Sequence, residues 1–177
     1  MHATARHRMI GFAIAALVAL ADQFAKWLMI GPLALREVGQ IELLPIFNLT
    51  WAENYGVSLG LFTAQSEAQR WMLVAVTGAI AAGVAVWILR EKVFGEIVAL
   101  SLVLGGAVGN IYDRVVHGHV VDYADLHFGS FRPFLVFNLA DAAITIGVLL
   151  ILARSFLSRE KAPRHEAADH NGAAPET

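Results

Sequence analysis

The chain has 177 residues, a formal net charge of −2 and no cysteine. Hydrophobic residues make up 57%, charged ones only 16%, and mean hydropathy is +0.58, where a soluble domain carries about 25% charged residues. One integral membrane domain fits these values; near-neutral charge gives no electrostatic case for nucleic acid, and the missing thiols exclude disulfides, thiolate catalysis and Cys-bound zinc.

Residues 1–8 are short and basic, with Arg6, His7 and Arg8. An apolar run from Met9 to about Ile30 follows, long enough to cross a hydrocarbon core of ~30 Å. Ala19-Leu20-Ala21 also fits a small-residue cleavage pattern, but apolar character resumes beyond Asp22 with Phe24, Trp27, Leu28, Met29 and Ile30. Asp22 and Lys26 are four apart, share a helix face and can pair.

Residues 31–70 form an intermediate region. Phe47, Leu49 and Trp51 alternate with Asn48 and Thr50, which predicts a half-buried strand. Pro45 bounds it at one end and the turn signal Glu53-Asn54-Tyr55-Gly56 at the other. The region reads as one small sheet at the membrane surface. Ser66-Glu67-Ala68-Gln69 has the form of a capping box opening the next helix.

The span predicted over 71–89 is free of charge and has Trp71 and Trp87 near its ends, as interface aromatics do. After the polar turn Arg90-Glu91-Lys92, a third span runs from about 94 to 112. Its Gly105 and Gly109 have the spacing that lets helices approach closely, a generic packing face. Residues 117–128 are polar and partly alternating, so a strand is expected. Gly129-Ser130 marks a turn, and the fourth span is expected over about 133–156. From 159 to 177 the composition predicts a solvated, disordered tail. No internal repeat is found. Four spans put both termini on one side. Lys and Arg concentrate at the amino end, the 90–92 turn and the tail, so the termini are expected to be cytoplasmic. Residues 31–70 and 113–133 then face outward.

Asp113, Asp122, Asp125 and Asp141 all fall between Gly105 and Asp141. Asp141 stands where membrane core is otherwise expected, which marks a candidate functional site. Asn110, Asp113 and Arg114 share one helix face by spacing, as do Asn138 and Asp141. If the third and fourth spans are neighbours, these polar faces converge and Asp122 arrives from the connecting segment. Two carboxylates in mutual reach cannot both ionise cheaply; one keeps a proton, and the pair becomes an acid and a base. That suits hydrolysis of an amide by activated water. No Ser or Lys is as well placed: Ser58 follows a turn without an evident partner, and Lys26 faces Asp22.

The blocks Asp22-Gln23-Phe24-Ala25-Lys26, Asn54-Tyr55-Gly56-Val57-Ser58, Gly109-Asn110-Ile111-Tyr112-Asp113-Arg114, Gly118-His119-Val120-Val121-Asp122-Tyr123 and Phe137-Asn138-Leu139-Ala140-Asp141 occur in this order. Together they resemble the lipoprotein signal peptidases, or signal peptidase II, of bacterial inner membranes. The resemblance covers the chain from first span to fourth. It implies an α-helical integral membrane protein of four transmembrane helices with a small outward-facing antiparallel β-cradle, in a single domain over 9–158. It implies an aspartyl endopeptidase that cuts prolipoproteins before a diacylglyceryl-modified cysteine, without cofactor or metal; a monomer among membrane lipid suffices for this chemistry and is expected. Carried over by position, Asp122 and Asp141 are the catalytic pair. Asp22, Lys26, Asn54, Gly56, Asn110, Asp113, Arg114 and Asn138 match supporting or substrate-binding positions. An outward sheet edge could take the extended substrate by backbone pairing. Asp113 beside Arg114 reads as a structural ion pair.

Three other readings compete. His117, His119, Asp122, Asp125 and His127 are metal-ligand types in one short segment and could serve a metal-dependent membrane hydrolase. Buried carboxylates also mark ion-coupled transporters. A structural membrane protein would use the same polar groups only to join helices.

Overall fold

The computed structural model describes residues 2–56, 67–129 and 131–160. The expectations for Ser58, Ser66, Ser130 and most of the carboxyl-terminal tail lie outside these residues. Four helices are long and apolar enough to cross a membrane. They are α1 (His2–Ile30), α3 (Glu67–Arg90), α4 (Phe94–Val116) and α5 (Leu139–Glu160), with a one-turn helix α2 (Leu35–Val38) between the first two. Strands β1 (Gln40–Leu44), β2 (Phe47–Asn54) and β3 (Val120–Leu126) form an antiparallel sheet in the order β1-β2-β3.

Several boundaries differ from the sequence reading. Helix α1 already begins at His2 and runs unbroken through Ala19-Leu20-Ala21. Helix α4 continues four residues past the expected end, so Asp113 and Arg114 lie on it. The largest correction is at the fourth span, which starts at Leu139 and not at 133. Phe137 instead pairs with Ala124 of β3, through Phe137 N to Ala124 O at 3.0 Å and Ala124 N to Phe137 O at 2.7 Å. Asn138 then caps the helix. Its Oδ1 accepts from Asp141 N at 2.9 Å, and Asp141 Oδ2 accepts from Asn138 N at 3.3 Å. This is a reciprocal capping box, and it satisfies two backbone donors while placing a carboxylate at the positive end of the helix dipole.

Helix α4 is the hub, packing against α1, α3 and α5. Small residues permit the close approach. A Cβ on Gly105 would meet Ala15 O of α1 at 2.5 Å, and one on Gly106 would meet Ala140 O of α5. Gly109 differs, because the atom its missing Cβ makes room for is Asp22 Oδ2, 2.6 Å away. Gly109→Ala is therefore expected to push Asp22 from its partners and destabilise by about 1–3 kcal/mol. Gly83→Ala on α3, where nothing lies within 4 Å, should be neutral or gain up to about 1 kcal/mol. Thermal unfolding of both variants in detergent micelles checks the contrast.

Below the sheet, Met29, Leu35, Leu49, Tyr123 and Ala124 form one apolar cluster; deeper in the bundle Ala15, Ile88, Ile97, Leu100 and Leu104 form another. The polar residues described next occupy the level between them.

Candidate active site

Lys26 is the only lysine buried among the described residues, and it does more than pair along its own helix. Its Nζ lies 2.7 Å from Asp22 Oδ2, 2.7 Å from Asp113 Oδ2 and 3.2 Å from Asn110 Oδ1. Both aspartates have further donors. Asp22 Oδ1 accepts from Ala140 N at 3.0 Å, tying α1 to the first turn of α5. Asp113 accepts from Gln23 Nε2 at 2.8 Å and from Val121 N at 3.1 Å, which fixes the start of β3. A buried charge survives only when paired and hydrogen-bonded, and here all three are.

The expected Asp113–Arg114 pair is not formed. Consecutive helical residues point to different sides. Asp113 turns to Lys26, while Arg114 donates to Asn110 O at 3.4 Å and reaches toward Gly56. Arg114 Nε is buried and has no partner among the described residues.

Next to this network a chain of amides joins Asp122 and Asp141. Asn110 Nδ2 donates to Asp141 Oδ1 at 2.8 Å. Asn138 Nδ2 donates to Asn110 Oδ1 at 3.1 Å and to Asp122 Oδ1 at 2.6 Å. Asn54 shares a sheet face with Asp122 on the neighbouring strand and lowers the pKa of its carboxyl, while its Oδ1 accepts from Gly56 N at 2.9 Å. Gly56 has φ of +85°, the left-handed conformation that suits glycine. The faces predicted to converge do so, with Asn138 as the helix cap.

Burial raises the pKa of Asp122 to about 6; the neighbouring charge of Asp141 adds to the rise, and the side chains of Asn54 and Asn138 oppose it. A carboxyl that keeps its proton next to one that accepts from other donors can act as acid and base together.

A family model described as signal peptidase (SPase) II matches residues 14–157. This chain belongs to the signal peptidase II family. It is 58% identical to a lipoprotein signal peptidase of Rhizorhabdus wittichii over 154 residues, 87% of this chain and 90% of that one. Identity to the lipoprotein signal peptidase of Sphingopyxis alaskensis is 57%, covering 89% and 91%. With that of Vibrio cholerae it is 36%, covering 85% and 88%. A solved bacterial membrane enzyme, determined by the in meso method at 2.3 Å resolution, superposes with a TM-score of 0.74 at 27% identity, covering 89% and 94%. A second, at 1.9 Å, gives 0.71 at 29%, covering 82% and 92%. The peptidase is thus an aspartic-type membrane protease, and the transporter and purely structural readings fall away.

The metal-ligand segment does not assemble in this signal peptidase II chain. His119 turns to Tyr55 and Glu53, Asp122 to Asn138, and Asp125 to Thr50 Oγ1 at 3.0 Å and Arg132 Nη2 at 3.3 Å. No three His, Asp or Glu side chains gather as a metal would need among the described residues. Strand alternation sends Asp122 and Asp125 to opposite faces of β3, and the three histidines lie outside that strand.

Of the two sheet edges that could take an extended strand, the one on β3 is already filled. Val121 N is taken by Asp113, and Tyr123 N and Ala124 N by Phe137 O. Sequence reasoning gives Gln23 no role, although it lies between Asp22 and Lys26. It takes Asn138 and Asp141 as sharing a face and, by the resemblance, as site residues, but leaves their capping role unseen, although Asn-x-x-Asp before an apolar run is itself a capping signal.

Proposed function

We propose that this enzyme removes signal peptides from diacylglyceryl-modified prolipoproteins, cutting before the lipidated cysteine with Asp122 and Asp141 as the catalytic pair. The observation that carries this reading is the amide chain from Asp122 through Asn138 and Asn110 to Asp141. Asn54 is exposed and Arg114 half-buried, and we assign them to orienting the extended substrate. The names of the curated relatives support the substrate class.

Below about pH 6 Asp122 holds a proton, because burial and the charge of Asp141 both favour its neutral form, and that protonated state is the active one. Asp141 takes a proton from water as that water attacks the scissile carbonyl, and Asp122 gives its proton to the developing oxyanion. Collapse of the tetrahedral intermediate transfers a proton to the leaving amine and returns the pair to its starting state. No covalent intermediate forms. The Lys and Arg distribution favours cytoplasmic termini, with the aspartate pair near the outer face of the inner membrane.

The test is cleavage of a synthetic lipobox peptide with and without the diacylglyceryl group. Cleavage is expected only of the lipidated peptide, at the bond preceding cysteine. With Asp122 as the proton holder, kcat/KM should fall on the alkaline side with an apparent pKa of about 6, because above it the acid is lost. Equal cleavage of both peptides would overturn the substrate assignment.

A further inference from the structure

Glu53 precedes Asn54 on β2, and the chemistry above makes no use of it. Its carboxylate nonetheless gathers groups from four places in the outer layer. Oε2 accepts from Tyr55 Oη at 2.7 Å, and Oε1 accepts from Trp51 Nε1 at 3.3 Å. Arg36 Nη2 of α2 lies 3.3 Å from Oε1, and His119 Nε2, just before β3, lies 3.9 Å from it. The Tyr55 and His119 rings tilt against each other with centroids 5.3 Å apart. Successive strand residues point to opposite faces. A carboxylate fastened at 53 and a phenol fastened at 55 therefore fix the backbone on both sides of the residue whose side chain serves Asp122.

We propose that Glu53 is a positioning residue: by holding the end of β2 to α2 and to the approach of β3, it keeps the Asn54 amide beside Asp122, its neighbour on the same face of the sheet. The proposal rests on the reading of Asp122 as catalytic. The ionisable groups around Glu53 are Arg36, Tyr55 and His119, with His117 in turn 6.4 Å from His119 between ring centroids. The Tyr55 hydrogen bond is the leading cause that holds the Glu53 carboxyl below its usual range, and burial holds His119 below the usual imidazole value. At neutral pH the hub is thus an anion with Arg36 as its counterion.

The consequence is readable in a pH profile. Asn54 lowers the Asp122 pKa by favouring its ionised form, so loss of that neighbour moves the alkaline limb of kcat/KM upward. Full-length enzyme in nanodiscs would be assayed on the diacylglyceryl lipobox peptide as Glu53→Ala, Glu53→Gln and Tyr55→Phe, alone and with Asn54→Ala. Glu53→Ala should lower kcat about 10- to 100-fold, the scale of a misplaced reacting group, with KM little changed and the limb shifted up. Tyr55→Phe should do the same more weakly. Glu53→Gln, which keeps one acceptor oxygen for Tyr55 but loses the second acceptor and the charge facing Arg36, should recover part of the loss. In the Asn54→Ala background none of the three should add to the effect. An unmoved limb, or losses that add fully to that of Asn54→Ala, would overturn the proposal. An active Asp122→Asn variant would instead overturn the catalytic reading beneath it.

Discussion

Asp122→Asn and Asp141→Asn are each expected to cut kcat/KM for the lipidated peptide by about 100- to 10,000-fold, the range for loss of a positioned acid or base. The two variants should differ in stability. Burial and Asp141 raise the Asp122 pKa from 3.8 to about 6 in the folded state. A raised carboxyl supports the fold fully below the unfolded value near 3.8, and that support is lost as pH rises through about 6. At pH 7.5 the ionised Asp122 therefore weighs against the fold, and Asn relieves it. Asp122→Asn should show a Tm equal to or above that of the parent at pH 7.5, and the advantage should vanish near pH 4. Asp141 instead accepts from Asn110 Nδ2 and closes the capping box. Its replacement should cost about 1–2 kcal/mol, the scale of a lost cap. Thermal unfolding and cleavage, measured on the same micelle preparations, separate the two effects. A folded Asp122→Asn variant with ordinary turnover would remove the dyad from the mechanism.

Lys26→Met is expected to be the most destabilising single change in the described polar layer. It leaves Asp22 and Asp113 buried against each other with no cation between them, while Met fills the same channel. Breaking a buried ion network from one side costs about 3–5 kcal/mol. The helices joined are α1, α4 and, through Ala140 N, α5. Much of the three-helix junction thus depends on one ammonium group. Activity should be lost through the fold, with Asn110 Oδ1 also losing one of its two donors, Lys26, and keeping Asn138 Nδ2. The double variant Lys26→Met/Asp113→Asn should regain part of the stability, since Asn can still accept from Gln23 or Val121 N. Denaturant titration in mixed micelles measures this. A single-variant loss below about 1 kcal/mol would show that the network is not the junction's main support.

Glu53, Lys26 and Asp122 show three grades of legibility in the sequence. Lys26 was partly readable: an i, i+4 pair with Asp22 follows from helical spacing, which the covalent chain dictates. Its second partner, Asp113, lies 2.7 Å away in space but on another helix, and no local pattern reports that. Asp122 was readable only through the resemblance of its block and the polar spacing around it. Glu53 passed as part of a turn signal, because Trp51, Tyr55, Arg36 and His119 meet it only after the sheet closes.

The sequence by itself determined four membrane crossings, one outer layer and the set of polar residues available to the site, since apolar run length and polar spacing are properties of the covalent chain. It also carried the capping box at Asn138 and Asp141, which is local. Tertiary structure alone decided that Lys26 serves two carboxylates, that Arg114 turns from Asp113 toward Gly56, and that the β3 edge is filled by Phe137. Those choices depend on how closely α4 approaches α1 and α5, which is set by missing Cβ atoms at Gly105, Gly106 and Gly109. Packing distance, and not residue type, selects among partners that are chemically equivalent.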